Sequence, residues 1–162
     1  MDSDKARMAI EQKNILIVYH TQTGNTGQLA RAAERGVQAE PGCAVQCLMA
    51  ADASLDHLLW CHGVLLGTPE NFGYMSGMLK DFFDRTYYPA EPYQLNKPYA
   101  LFISAGNDGS GAAREVARIA KGYPLVPVAE PLICRGEITP QHLAEAEALG
   151  QAMAAGLALG IF

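Results

Sequence analysis

The chain has 162 residues, a formal net charge of −5 at neutral pH and four cysteines. This length corresponds to one domain that can bury a core without disulfide bonds. The basic residues are scattered, which disfavours a nucleic-acid partner, and no apolar run is long enough to span a membrane. With no secretory signal pattern and few cysteines, we expect a cytoplasmic protein.

The first structural unit is a buried strand followed by a helix. Residues 14–19 read Asn-Ile-Leu-Ile-Val-Tyr, as expected for a parallel strand that is covered on both faces. An amphipathic pattern over residues 27–37 predicts a helix. Residues 1–13 are predicted to form a polar N-terminal arm, and residues 14–162 to form the functional domain.

Strand and helix patterns alternate along the rest of the chain. Strands are predicted at residues 44–49, 63–67 and 99–104 and in a segment that ends at Cys134; helices are predicted at residues 54–60, around 75–83, at 111–120 and after Thr139. The alternation predicts an α/β fold: a doubly wound, five-stranded parallel sheet of order 2-1-3-4-5 with helices on both faces. Such a sheet binds its ligand where the winding reverses, between strands one and three.

The loop after the first strand is rich in hydroxyl groups and consists of Thr21, Gln22, Thr23, Gly24, Asn25 and Thr26. Backbone N–H groups at a helix start are unpaired donors at its positive end, so they bind anions. The loop contains neither the Lys of a Walker loop nor the glycine pattern of a Rossmann turn. Neutral donors of this kind favour one phosphate monoester, the group that FMN carries.

The loops after strands three and four should meet the same ligand. The first of them contains Thr68, Pro69, Glu70, Asn71, Phe72 and Gly73; the second contains Ser104, Ala105, Gly106, Asn107, Asp108 and Gly109. Glycines let the backbone approach a flat ligand closely, and aromatic side chains can cover its face. Together these two loops indicate a site for a planar ring.

Three segments resemble the flavodoxin-like FMN family: T-Q-T-G-N-T, G-T-P-E-N-F-G-Y-M-S-G-M-L-K-D-F-F-D-R and S-A-G-N-D-G-S-G. Within that family the chain is most similar to short-chain flavodoxin-family proteins and to NAD(P)H-dependent FMN or quinone reductases, including the Trp-repressor-binding-protein-like quinone reductases. The resemblance covers residues 14 to about 157. It implies that residues 21–26 bind the phosphate, that residues 68–73 line the isoalloxazine, and that residues 104–109 close over its other side.

Two functions remain open from the resemblance. One is an enzyme that takes electrons from NAD(P)H and passes them to a quinone or similar small acceptor; the other is a flavodoxin-type carrier of single electrons between partner proteins. A carrier is expected by resemblance to turn the Phe72–Gly73 peptide carbonyl toward the flavin N5, which glycine would permit. The mild negative charge and the glycine-rich third loop favour the enzyme. A regulatory FMN-binding protein and a homo-oligomer both stay open.

The flavin would supply the chemistry, so no side chain is expected to act as a catalytic acid or base. Cys43 and Cys47 are not expected to share a metal ion, because the alternating directions of side chains along a strand would separate them. Phe72 and Tyr74 are expected either to stack on the ring or to pack in the protein. The sequence does not indicate whether Tyr87 or Tyr88 touches the flavin.

Overall fold

The computed structural model describes residues 11–162, so most of the predicted arm at residues 1–13 lies outside the described residues. The strands are β1 (Lys13–Tyr19), β2 (Cys43–Met49), β3 (Gly63–Pro69), β4 (Lys97–Ala105), β5 (Leu125–Pro127) and β6 (Leu132–Arg135). The helices are α1 (Asn25–Gln38), α2 (Leu55–Trp60), α3 (Gly77–Ala90), α4 (Ser110–Ala120) and α5 (Pro140–Ala158).

The sheet is parallel and has the order β2-β1-β3-β4-β5, which confirms the predicted doubly wound fold. The predicted fifth strand is instead two short strands that occupy one position: β5 pairs with the start of β4 and β6 with its end. Pro127 ends β5 and Pro131 precedes β6. Because proline lacks the N–H donor that a strand ladder needs, the two prolines explain the break.

Each face of the sheet carries its own core. Leu16 and Val18 point into a cluster that α3 and α4 complete, whereas Ile15 and Ile17 point into a second cluster covered by α1 and α5. This alternation along β1 is the reason its sequence is apolar at every position from Ile15 to Val18. The central strands are therefore buried on both faces, and because they are parallel their C-terminal ends lie at one edge.

The third helix begins two residues later than the predicted start near residue 75 and extends beyond residue 83, to Ala90. It begins at Gly77, where the Ser76 hydroxyl accepts a hydrogen bond from the N–H of Leu79 at 3.2 Å. Met75 is buried but precedes the helix, and Met78 is exposed. The hydroxyl cap at Ser76 sets the helix start, and the apolar spacing alone did not reveal it.

Cys43 and Cys47 point to the same face of the sheet, so the expectation that they diverge was wrong. Residues four apart in a strand share a face because the side-chain period is two. The two thiols contact different helices: Cys43 Sγ lies 3.7 Å from the Ala154 carbonyl oxygen of α5, and Cys47 Sγ lies 4.0 Å from that of Ala30 in α1. Burial raises the pKa of Cys47 to about 12, so this thiol is protonated at neutral pH.

Within residues 11–162, none of the helices combines the length and the apolar character that crossing a bilayer requires.

Candidate functional site

The C-terminal ends of β1, β3 and β4 open into a cavity of about 490 Å³. It is lined by residues from all three predicted loops and from a fourth: Gln22, Thr23, Asn25, Pro69, Glu70, Asn71, Ser104, Ala105, Gly106, Gly136 and Glu137. The three loops named from the sequence therefore meet at one place, as the fold requires.

The first loop leaves the start of α1 open. Gly24 occupies the N-cap position with φ of 102°, a left-handed conformation that favours glycine, and it provides no side-chain cap. The Thr21 hydroxyl accepts a hydrogen bond from the Gly24 N–H at 3.1 Å, while Thr23 is exposed. The first-turn N–H groups of α1 thus keep their capacity to bind an anion at the cavity edge near Asn25.

Thr26 and Ser104 connect the first loop to the third. Their hydroxyl oxygens lie 2.7 Å apart, and both residues are buried. The hydroxyl of Thr26 is therefore committed to this internal hydrogen bond. Of the three threonines of the loop, Thr23 is the one whose side chain is exposed and lines the cavity.

The second loop contains a tight hairpin. Asn71 and Tyr74 exchange both backbone hydrogen bonds, at 2.8 and 3.0 Å. Phe72 and Gly73 between them have φ of 53° and 72°, the signature of a type I′ turn. The Phe72 side chain is fully exposed, which contradicts the packing alternative for this residue, whereas Tyr74 is half-buried against the core.

Two further contacts fix the second loop in place. Thr68 is fully buried, and its hydroxyl accepts a hydrogen bond from the Ser76 N–H at 2.9 Å and donates one to the Pro69 carbonyl at 2.8 Å. The Asn71 side-chain amide lies 3.3 Å from the Gln22 side-chain oxygen, which joins the second loop to the first. Thr68 thus shapes the loop from inside, while Asn71 lies at the cavity.

Glu70 caps α4 from a distance in sequence. Its two carboxylate oxygens accept hydrogen bonds from the N–H groups of Gly109 at 2.8 Å and Ala112 at 3.0 Å. Its own N–H donates to the Ser104 carbonyl at 2.8 Å. The start of α4 is consequently occupied by a carboxylate, whereas the start of α1 is open.

The third loop contributes only its first half to the cavity. Gly106 is exposed at the cavity, but Asn107, Asp108 and Gly109 do not line it. The Asp108 carboxylate accepts a hydrogen bond from the Ser110 hydroxyl at 2.6 Å, which lowers the pKa of Asp108. A carboxylate in this exposed position does not face the predicted ring site.

Gly136 and Glu137, which follow β6, were missed by the sequence analysis. The Gly136 N–H donates to the Ala105 carbonyl at 2.9 Å, and Gly136 has φ of 76°. The signal was available, because the loop after the fifth strand position must also emerge at the C-terminal edge of a parallel sheet.

A second, larger groove of about 620 Å³ lies between α3 and α4. Tyr74, Tyr87 and Tyr88 line this groove and do not line the cavity at the strand ends. The rings of Tyr87 and Tyr88 lie 5.5 Å apart, and Tyr88 is exposed.

Comparison with known proteins points to flavoproteins. Residues 49–131 match the family model of NADPH-dependent FMN reductases. A flavodoxin of Aquifex aeolicus is 32% identical over 64% of this chain and 55% of its own length. An NAD(P)H dehydrogenase (quinone) of Acidithiobacillus ferrooxidans is 29% identical over 44% of this chain and 46% of its own length. The chain thus spans about half the length of these curated relatives.

Solved structures share the fold at low sequence identity. An archaeal flavodoxin superposes with a TM-score of 0.77 at 23% identity, covering 89% of this chain and 98% of that one. The flavodiiron core of Flv1 from Synechocystis superposes with a TM-score of 0.80 at 20% identity, covering 96% of this chain and 38% of that one. A WrbA-like flavodoxin from Agrobacterium tumefaciens superposes with a TM-score of 0.74 at 19% identity, covering 91% of this chain and 98% of that one.

Proposed function

Because this chain belongs to the NADPH-dependent FMN reductase family of flavodoxin-like FMN proteins, we propose that it binds one FMN at the strand ends and passes electrons from NAD(P)H to a quinone or similar small acceptor. The observation that carries the proposal is the difference between the two helix starts at the cavity. That of α1 is open to an anion, and that of α4 is occupied by Glu70. One free anion site fits a ligand with one phosphate.

The residues present fit FMN. The first-turn N–H groups of α1 and the side chain of Thr23 would hold the phosphate, and the loops around Pro69–Gly73 and Ala105–Gly106 would enclose the ring. Phe72, fully exposed beside the cavity, would cover one face of the ring. When bound, FMN supplies the acceptance and release of electrons; the protein positions it and controls access.

The hairpin at Phe72–Gly73 favours the reductase over the single-electron carrier. Turning over the peptide between the two residues would convert the type I′ turn into type II′, which takes glycine at its first central position. That position is Phe72, so the tolerance of Gly73 alone does not permit the reversal. A carrier that relies on such a peptide reversal would be hindered here.

The proposal is tested by reducing the FMN-loaded protein without oxygen. We expect NADH or NADPH to bleach the visible absorbance of the flavin at a rate no slower than the turnover rate in a quinone assay, and we expect addition of a quinone to restore that absorbance. Buffer with free FMN at the same concentration is the control. A protein that binds FMN but is not reduced by either nicotinamide within that time would instead be a carrier between partner proteins.

The hairpin restraint is tested by comparing Phe72→Gly with Phe72→Ala. Glycine removes the backbone restriction, worth about 1–3 kcal/mol, whereas alanine removes only the ring. During stepwise reduction, we expect the glycine variant to accumulate more half-reduced flavin than the wild type or the alanine variant. Both variants should bind FMN more weakly and leave it more fluorescent, because the aromatic cover is gone. If half-reduced flavin accumulated equally in the two variants, the hairpin backbone would not determine how much of it forms.

A further inference from the structure

We propose that Glu70 is a positioning residue that lowers the reduction potential of the bound flavin by neutralising the positive end of α4. The inference rests on the proposed FMN function and assigns one side chain a role in it. Glu70 lines the cavity and at the same time accepts two hydrogen bonds from the first turn of α4.

The cap on α4 combines a local carboxylate with one that is distant in the sequence. The exposed Asp108 carboxylate accepts hydrogen bonds from the Ser110 hydroxyl at 2.6 Å and from the Ser110 N–H at 3.4 Å, so it reaches only the first N–H of the helix. Gly109, at the N-cap position, has no side chain to offer. The N–H of Ala112, which a local cap would ordinarily satisfy, is bound by a carboxylate 42 residues earlier in the chain.

Without Glu70, the start of α4 would have the opposite electrostatic effect on the ring. A helix start carries roughly half a positive charge, which favours nearby anions and therefore a reduced, anionic flavin. With Glu70 bound there, the full negative charge of the carboxylate outweighs that half charge. The carboxylate of Glu137 lines the same cavity and adds to the negative potential. The resulting field disfavours added electrons on the ring, so the reduced flavin donates them more readily.

The position of Glu70 also prevents a second anion from binding. Both N–H groups that face Glu70 are at hydrogen-bond distance from its oxygens, so the start of α4 cannot also receive a phosphate. Glu70 thereby joins the second and third loops and leaves α1 as the phosphate-binding helix. The same contact accounts for both the preference for a mononucleotide and the electrostatic field at the ring.

The test compares the reduction potential of bound FMN in the wild type and in Glu70→Gln, measured anaerobically against a reference dye. Glutamine keeps the size and one acceptor oxygen but removes the charge. We expect at least a tenfold shift of the equilibrium toward reduced flavin, which is about 30 mV for a two-electron couple. Glu70→Asp, which retains the charge, should stay closer to the wild-type potential. Glu70→Ala is a second neutral variant and should shift the potential in the same direction if the glutamine variant does not fold.

Glu137→Gln is the matched control, because it removes a carboxylate from the same cavity but not from α4. We expect a smaller shift in this variant than in Glu70→Gln. An unchanged potential in both neutral Glu70 variants, or an equal shift in Glu137→Gln, would overturn the role of Glu70 while leaving FMN binding intact. Failure of the wild-type protein to bind FMN would instead overturn the proposed function and this inference with it.

Discussion

FMN is expected to bind this protein about 100-fold to 10,000-fold more tightly than riboflavin, which lacks only the phosphate. Charge-assisted hydrogen bonds contribute roughly 1.5–3 kcal/mol each, and two such bonds from the open first turn of α1 would add roughly 3–6 kcal/mol. Each 1.4 kcal/mol, approximately, changes a dissociation constant tenfold. The measurement is a fluorescence titration of the apoprotein with each flavin, and equal affinities would refute the assignment of the phosphate to this loop.

Thr23→Ala separates the phosphate contact from the rest of the site. Thr23 is exposed at the cavity, so its replacement should weaken FMN binding and leave riboflavin binding unchanged. Thr26→Ala is the less specific variant, because it also breaks the buried hydrogen bond to Ser104 and leaves that hydroxyl without its partner. FAD should bind more weakly than FMN, since Glu70 closes the other helix start to a second phosphate.

The order of the strands and the convergence of the three loops at one cavity could be predicted from the sequence for a physical reason. Strands buried on both faces are continuously apolar, as residues 15–18 are. In the helices between them, apolar residues instead recur every three to four positions. Once the winding is known, the strand ends must converge, and residue types such as those of the Thr21–Thr26 loop indicate the ligand chemistry.

Contacts between distant side chains could not be predicted in this way. Nothing in the pattern around Glu70 indicates that its carboxylate reaches α4, because that contact depends on the distance between two loops in the folded chain. The exposure of Phe72 likewise depends on a turn with two consecutive positive φ values. An Asn-Gly pair would have predicted such a turn, but a Phe-Gly pair does not. The break between β5 and β6 required attention to Pro127 and Pro131, which apolar spacing ignores.

Gly111→Ala is expected to destabilise the protein and weaken FMN binding, although glycine to alanine in a helix ordinarily stabilises. A Cβ at Gly111 would overlap the Gly73 carbonyl oxygen and would lie 2.9 Å from its carbonyl carbon and 3.1 Å from its Cα. All three atoms are backbone, so either the hairpin or the start of α4 must move. Overpacking of this kind costs about 1–3 kcal/mol, which exceeds the gain of roughly 0.5–1 kcal/mol in helix propensity.

Movement of the hairpin or of the start of α4 in Gly111→Ala should also distort the proposed flavin site, because Glu70 connects the loop that carries the hairpin to the first turn of α4. We expect about a tenfold loss of FMN affinity, equivalent to about 1.4 kcal/mol, together with a lower urea midpoint of the apoprotein. Gly77→Ala is the matched control: Gly77 begins α3, and a Cβ there would have no heavy atom within 4 Å. Wild-type stability and affinity in Gly111→Ala would mean that the close approach of α4 to the hairpin does not hold the site together.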